Sequence, residues 1–111
     1  MNADDGVTLV AIVDGRMVGY MTSFVRRQAD FYQVKQIGAI SGLMVHKDHR
    51  RKGIARQLLS ATIAFFHKKG VEYFTVYTAT ANQAAVQFYE RSGMKSLHVT
   101  LLGEVPGSPR V

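Results

Sequence analysis

Apolar, β-prone segments dominate the first half of the chain. Residues 7–13 form a strongly β-prone, mainly apolar segment, and 17–26 follow it after Asp14-Gly15. This dipeptide favours a two-residue turn, because both central positions need positive φ, so the pattern predicts an antiparallel hairpin. In residues 37–45, apolar residues occupy both odd and even positions, so both faces of the strand would be buried. This pattern predicts a central strand, and Gly42 predicts a bulge within it.

The middle of the chain changes from strand to helix periodicity and back. In residues 53–69, apolar positions recur at helical spacing from Ile54 to Phe65, which predicts a long helix. Residues 73–79 are β-branched and aromatic and predict a strand. Because a strand–helix–strand order closes through a right-handed crossover, this strand should lie parallel to the strand at 37–45.

The last third of the chain predicts one more helix and one more strand. Asn82 can open a helix that ends near Ser92-Gly93, and residues 95–102 predict a final strand before a tail rich in proline and glycine. The whole pattern predicts an α/β fold, a mixed sheet of about five strands with two helices.

Size and composition limit the classes of protein to which the chain can belong. It has 111 residues, 47% apolar and 20% charged, which predicts a single soluble domain over 1–111 with flexible ends at 1–6 and 104–111. No run approaches the roughly 18 apolar residues of a membrane span, and the start lacks a signal-peptide pattern. We expect a cytoplasmic protein without a membrane partner. The lack of cysteine excludes disulfides, a thiol nucleophile and a thiolate metal site.

The positive charge is concentrated in one segment. The formal net charge is +6, and most of the excess lies in residues 46–56, where Asp48 is the one acidic residue. Such a balance favours an acidic partner: a nucleic acid, a membrane surface or a phosphorylated small molecule. The basic residues of this segment are Lys47, Arg50, Arg51, Lys52 and Arg56.

The start of the long helix combines this charge with small residues. The first turn of a helix leaves N–H groups unpaired at the positive end of the helix dipole, and Gly53 and Ala55 would let an anion approach them. The segment therefore predicts a phosphate site, and a solvated basic turn that caps the helix is the alternative. Neither the P-loop pattern nor the G-x-G-x-x-G pattern is present.

Three motifs in order resemble those of the GCN5-related N-acetyltransferase family. Leu43-Met44-Val45 matches its L-x-V strand end, and Arg50-Arg51-Lys52-Gly53-Ile54-Ala55 matches its cofactor loop, R/Q-x-x-G-x-G/A. The segment from Asn82 to Met94 matches N-x-x-A-x-x-F-Y-E-x-x-G-F/M at every specified position. The resemblance spans residues 43–94.

The resemblance implies an acyltransferase that moves an acetyl group from acetyl-CoA to an amine acceptor without a metal. The backbone amides of residues 50–55 would hold the coenzyme A diphosphate, and Val45 would pair with the pantetheine arm. The residues implied in cofactor binding are Leu43, Met44, Val45, Arg50, Arg51, Lys52, Gly53, Ile54, Ala55, Asn82, Ala85, Phe88 and Tyr89.

Three groups are candidates for the chemistry. By analogy with the family, Tyr89 would protonate the departing thiolate, for which a phenol with an ordinary pKa of about 10 is suited, and Asn82 would hydrogen-bond the cofactor region. The backbone N–H of Leu43, freed by a bulge at Gly42, would stabilise the developing oxyanion. The alternatives are that Asn82 only caps its helix and that Tyr89 is a partly buried aromatic.

The chain departs from the family at the general base. Many relatives carry a carboxylate just before L-x-V, whereas Ile40-Ser41-Gly42 occupies that stretch here. Ser41 could orient a water in its place. His46 and His49 stand three residues apart, but no other metal-binding residues cluster with them, so we expect no metal site.

A second departure concerns the acceptor side. The family usually begins with a strand and two helices that wall the acceptor pocket, and this chain opens at the following hairpin. Either the sequence is a fragment, or it is a short natural form that completes its pocket and covers its exposed sheet edges by forming a homodimer, which is the alternative that we favour. Two alternatives to an enzyme remain: a non-catalytic acyl-CoA-binding module, and, less favoured, a basic domain that binds nucleic acid.

Overall fold

The computed structural model describes residues 6–27, 36–78, 82–97, 101–103 and 106. The chain divides into two compact units, Met1–Tyr77 and Thr78–Val111. The described part of the first unit contains β1 (Gly6–Val13), β2 (Arg16–Arg27), β3 (Gln36–Val45), α1 (Ile54–Lys68) and β4 (Phe74–Val76). That of the second contains the helix α2 (Gln83–Arg91). A single domain over the whole chain stays a prediction.

The strands form one mixed sheet in the order β1-β2-β3-β4. β1, β2 and β3 pair antiparallel in sequence, and β3 pairs with β4 in parallel. The step from β3 through α1 to β4 is the predicted crossover, so the mixed α/β sheet is confirmed. β4 is shorter than the predicted 73–79, because its pairing with β3 covers three residues; residue 79 lies outside the described part.

The turn between β1 and β2 has the predicted conformation. Asp14 and Gly15 have φ of +51° and +79°, and Val13 pairs with Arg16 on either side of them. Positive φ at both central residues is the geometry that matches the twist of a two-residue hairpin. The predicted hairpin is therefore confirmed.

β3 contains a bulge next to the predicted position. Thr22 of β2 pairs with Gly42, whereas Ser23 pairs with Ile40. Ser41 is therefore the extra residue on β3, one position before the glycine on which the prediction rested.

α1 matches the helix predicted over residues 53–69. Gly53 is its N-cap, with a left-handed φ of +83°, and Lys69 is its C-cap. Gly70 follows with φ of +75°, a conformation that suits glycine at the end of a helix.

The apolar stripe of α1 packs on one face of the sheet. The Thr62 hydroxyl donates to Sδ of Met21 at 3.1 Å. The Phe66 ring lies so close to Gly38 that a Cβ there would come within 2.6 Å of it. The buried apolar residues of this unit are Val18, Met21, Ala39, Ile40, Leu58, Leu59 and Phe66.

The second unit is built around α2. Asn82 is its N-cap and Ser92 its C-cap, as the sequence predicts. The predicted strand over 95–102 is absent from the described residues of that stretch, where Leu97 and Leu101 are 78% and 88% exposed, so no packing surface stabilises it. Residues 98–100 lie outside the described part.

The predicted flexible ends fall almost wholly outside the described residues. The exceptions are Pro106 and Gly6, and Gly6 is the first residue of β1. Neither described helix is long and apolar enough to span a membrane.

Candidate functional site

A short polar turn connects β3 to α1. The His46 Nδ1 accepts a hydrogen bond from the backbone N–H of Asp48 at 3.2 Å and caps a 3₁₀ turn, Lys47–His49. The backbone N–H of His49 donates to the His46 carbonyl at 2.8 Å. No side chain of the 3₁₀ turn is buried, so backbone and side-chain hydrogen bonds hold it in place.

Two left-handed residues then turn the chain into α1. Arg51 has φ of +63° and Gly53 has φ of +83°. Glycine adopts this conformation freely, whereas a residue with a Cβ is strained by about 1 kcal/mol. The strain at Arg51 lies within the segment that the sequence predicts to bind phosphate.

The first turn of α1 presents backbone amides. The helical hydrogen bonds start with the N–H of Gln57, which donates to the Gly53 carbonyl at 3.0 Å. The N–H groups of Ile54, Ala55 and Arg56 precede that bond and have no carbonyl one turn back. A Cβ added at Gly53 would meet nothing within 4 Å, so the space beside this glycine is open.

The electrostatics of this turn favour an anion. The first turn of α1 carries no acidic residue, and its amides form the positive end of the helix dipole. The five predicted basic residues are all exposed around it: Lys47, Arg50, Arg51, Lys52 and Arg56.

β3 continues beyond the end of its parallel neighbour. The last pair between β3 and β4 joins Ile40 to Val76, whereas β3 extends to Val45. Over residues 41–45, β3 is paired with β2 on one edge, and no described strand pairs with its other edge. We call residues 41–45 on that side the open edge.

The bulge decides which backbone groups face the open edge. Before it, the Gly38 N–H points toward β4 and donates to the Tyr73 carbonyl at 2.9 Å; after it, the His46 N–H points toward β2 and donates to Val18 at 2.7 Å. Since backbone groups alternate along a strand, the N–H and C=O of Leu43 and Val45 face the open edge. Those of Met44 face β2.

One side chain already occupies part of this edge. Nε of Arg50 donates to the Val45 carbonyl at 3.0 Å, so from Val45 the N–H is left for pairing with a ligand. The sequence analysis missed this contact, because a bond across five residues of irregular turn has no periodic signal. The pairing of Val45 with a pantetheine arm stays a prediction.

Ser41, the bulge residue of β3, lies in the stretch just before Leu43-Met44-Val45. Its hydroxyl donates to the Thr22 carbonyl of the neighbouring strand at 3.2 Å, and the Thr22 hydroxyl lies 3.3 Å from that of Thr8. The Ser41 proton is therefore committed to the sheet, while its oxygen can still accept a bond. The role of Ser41 in orienting a water stays a prediction.

His46 and His49 lie together in the turn. Their rings meet edge to face with centroids 6.0 Å apart, and a carboxylate oxygen of Asp48 lies 3.7 Å from Nδ1 of His46. Within the described residues, no three histidine, cysteine or acidic side chains form a group that could hold a metal ion.

Asn82 and Ala85 cap α2 in the second unit. The side-chain oxygen of Asn82 accepts a bond from the Ala85 N–H at 3.2 Å, which is the capping alternative that the sequence left open. The Asn82 amide nitrogen is not used in this cap and can still donate.

Tyr89 is the buried residue of α2, with 5% of its surface exposed. Its ring meets that of half-buried Phe88 edge to face at 5.0 Å. Burial raises the pKa of Tyr89 above its ordinary value of 10.0. The cause is desolvation, which disfavours the phenolate. The role of Tyr89 as the proton donor stays a prediction.

The predicted site residues thus fall into two groups. In the first unit, the β3 end (Leu43, Met44, Val45) and the turn into α1 (residues 50–55) are joined by the Arg50–Val45 bond. In the second unit, the predicted residues share α2 and its cap: Asn82, Ala85, Phe88 and Tyr89.

Known proteins share this sequence and fold. The chain is 31% identical over 97 residues to an N-alpha-acetyltransferase of Saccharolobus solfataricus, covering 81% of this chain and 57% of that protein. It is 38% identical over 72 residues to the mycothiol acetyltransferase of Propionibacterium freudenreichii, covering 65% of this chain and 23% of that protein. The chain thus spans just over half the length of the first relative and about a quarter of the length of the second.

Two solved structures share the fold. One is an aminoglycoside acetyltransferase from an uncultured soil metagenomic sample, solved in complex with sisomicin. It matches with a TM-score of 0.77 and 26% sequence identity, and the match covers 94% of this chain and 68% of that chain. The other is the aminoglycoside N-acetyltransferase AAC(6')-Iy in complex with CoA, which matches with a TM-score of 0.83 and 19% identity over 93% of this chain and 78% of that chain. At this identity the second likeness is one of fold alone.

The family comparison covers most of the sequence. Residues 1–94 match the acetyltransferase (GNAT) family, and this range contains all three motifs, the open edge of β3 and the first turn of α1. The chain belongs to the acetyltransferase (GNAT) family.

Proposed function

We propose that this protein is an acetyl-CoA-dependent N-acetyltransferase. The observation that carries the proposal is the junction of β3 and α1, where the first-turn amides of α1, surrounded by exposed basic residues, adjoin the open edge, with which no described strand pairs. A ligand with a diphosphate at one end and an amide-containing chain at the other fits this pair of features. Coenzyme A has that construction, and the relative AAC(6')-Iy has been solved with CoA bound.

The two ends of the ligand would be held differently. The amides of residues 50–55 and the surrounding cations would hold the diphosphate through charge-assisted hydrogen bonds. The Val45 N–H and the backbone of Leu43 would pair with the amides of the pantetheine arm, as a neighbouring strand would. On α2, the Asn82 amide nitrogen would donate to the cofactor, and Ala85 and Phe88 would contact it.

When bound, acetyl-CoA supplies an acetyl thioester, whose C–S bond breaks as a C–N bond to the acceptor amine forms. The Leu43 N–H would donate to the thioester oxygen, where negative charge develops. The acceptor amine would release a proton to solvent as it attacks, and Tyr89 would give its proton to the leaving sulfur and regain one from solvent. Burial raises the pKa of Tyr89, which keeps the phenol protonated at neutral pH and makes it a weaker acid than a free tyrosine.

An amine is the acceptor that we propose. The support comes from the names of similar proteins, an aminoglycoside acetyltransferase and an N-alpha-acetyltransferase. A direct transfer also suits a chain that contains no cysteine for a thioester intermediate.

Charge reversal tests the cofactor site. Lys47→Glu with Lys52→Glu should weaken acetyl-CoA binding by about a hundredfold or more in calorimetry, because these cations surround the proposed diphosphate position. Lys68→Glu with Lys69→Glu is the matched control at the far end of α1, about 22 Å away. That distance exceeds the Debye length of about 8 Å, so the control should change affinity less than threefold. Equal losses in both variants would refute the site.

Turnover separates an enzyme from a binding module. A thiol-release assay with peptide α-amines, aminoglycosides and simple amines should detect acetyl transfer to at least one class. Normal acetyl-CoA binding without detectable thiol release for any class of amine would favour the non-catalytic module instead.

We propose in addition that the protein forms a homodimer through β1. β1 is an edge strand of the sheet, and its sequence from Gly6 to Val13 contains neither a charged residue nor proline. Such an edge readily pairs with another strand, and a two-fold axis would bring two copies of β1 together antiparallel. A cytoplasmic location likewise stays a prediction.

A further inference from the structure

Arg50 joins the two parts of the proposed ligand site. Its Nε donates to the Val45 carbonyl at 3.0 Å, which links the turn before α1 directly to the end of β3. Hydrogen bonds at His46 also hold the turn, and buried side chains of α1 pack that helix on the sheet. The Arg50–Val45 bond adds a direct link between the turn and the open edge.

The bond also fixes which groups the edge can offer. One lone pair of the Val45 carbonyl is engaged by Arg50, so Val45 offers chiefly its N–H, whereas Leu43 presents both its N–H and its C=O. A chain of amides laid along the edge therefore has one favourable register, with an acceptor against Val45 and a donor available to Leu43. A shift along the strand would place an amide N–H against an occupied carbonyl.

We propose that Arg50 is a positioning residue, which sets the distance and register between the strand edge and the helix-start amides so that one ligand engages both. The inference rests on the proposed function, since it assumes a ligand that spans the two. A ligand bound at two points gains from their fixed separation, because the second contact forms without a further loss of freedom. A ligand that binds at only one of the two points gains no affinity from their fixed separation.

Three substitutions separate the hydrogen bond from the charge. In Arg50→Gln, the amide nitrogen stands as many bonds from Cα as Nε of arginine, so the donor is kept and the charge is lost. Arg50→Met has the same length and neither property. Arg50→Lys keeps the charge and moves it one bond beyond the position of Nε. Because Arg50 is exposed, all three variants should fold, which thermal melts would verify.

The experiment measures the affinity of each variant for CoA and for ADP, which carries a diphosphate without the pantetheine arm. We expect Arg50→Gln to bind CoA about three- to tenfold more tightly than Arg50→Met, the usual effect of one hydrogen bond. For ADP, the two neutral variants should agree within about twofold.

Other outcomes would overturn the inference. If the glutamine and methionine variants bind CoA alike and the lysine variant matches the wild type, Arg50 acts through its charge alone. If Arg50→Gln binds both ADP and CoA more tightly than Arg50→Met by the same factor, the hydrogen bond shapes the phosphate-binding turn and does not set the separation between the two contact points. Failure of the wild type to bind CoA would instead overturn the proposed function itself, together with this inference.

Discussion

At the scale of single residues, the phenol of Tyr89 offers the clearest separation of binding from chemistry. Tyr89→Phe removes the proposed proton donor and keeps the ring. We expect kcat in the thiol-release assay to fall by about a hundredfold, a usual contribution of general acid catalysis, while the Kd for acetyl-CoA changes less than threefold. Unchanged kcat would exclude Tyr89 as the acid.

The same phenol should also leave a mark on stability at high pH. Burial holds the folded-state pKa of Tyr89 above its ordinary value of 10.0, so between about pH 10 and the folded pKa, the unfolded chain loses this proton while the folded chain keeps it. The free energy of unfolding should therefore fall as pH rises above about 10 and be unaffected by this group below it.

Chemical denaturation of wild type and Tyr89→Phe between pH 7 and pH 11 would measure the effect. The difference in unfolding free energy between them should be constant up to about pH 9 and then shift in favour of the phenylalanine variant. Tyr73→Phe, at an exposed position, is the matched control. A constant difference up to pH 11 would mean that the pKa of Tyr89 is not raised.

Residue-level features were predictable where a short motif carries them. The resemblance placed the basic turn, the strand end and the capping Asn82, because each depends on neighbours in sequence. The bond from Arg50 to Val45 and the raised pKa of Tyr89 were not predictable, since both depend on contacts and burial that form only when the chain folds.

At the scale of secondary structure, the contact between α1 and β3 leads to a prediction about stability. A Cβ at Gly38 would come within 2.6 to 2.8 Å of three atoms of the buried Phe66 ring. Gly38→Ala should therefore force the helix from the sheet and lower the free energy of unfolding by about 1 to 3 kcal/mol. Thermal or urea unfolding would measure the loss.

Gly42 of the same strand provides the control. A Cβ there would lie 3.5 Å from the Tyr20 ring, an ordinary van der Waals distance, so Gly42→Ala should change stability by less than about 0.5 kcal/mol. Equal losses at the two glycines would show that β3 is sensitive to any lost glycine and that contact with Phe66 is not the cause.

Elements were predictable where local signals and tertiary packing agree. The hairpin turn, α1 and its caps lie within a residue or two of the predicted bounds, because turn chemistry, capping and apolar periodicity all act locally. The strand expected over 95–102 had the composition of a strand, yet Leu97 and Leu101 are largely exposed among the described residues. Apolar periodicity cannot tell whether a partner edge exists.

At the scale of the whole molecule, the edge strand β1 is the basis of the proposed homodimer. β1 has β2 on one side, and no described strand pairs with its other side. Its side chains near the hairpin are exposed, with Ile12 56% accessible. A strand with this composition associates readily, and natural edge strands avoid it with lysine or proline.

The assembly can be tested with one substitution and a matched control. We expect the wild type to sediment as a dimer at tens of micromolar and Ile12→Lys to sediment as a monomer, because a charge on the edge strand opposes pairing between copies. Ile63→Lys places the same change at an exposed position of α1, 44% accessible, and should leave the dimer intact. If both variants dissociate, the interface involves more than β1; if the wild type is monomeric at these concentrations, the homodimer is wrong and the cofactor site acts within a single chain.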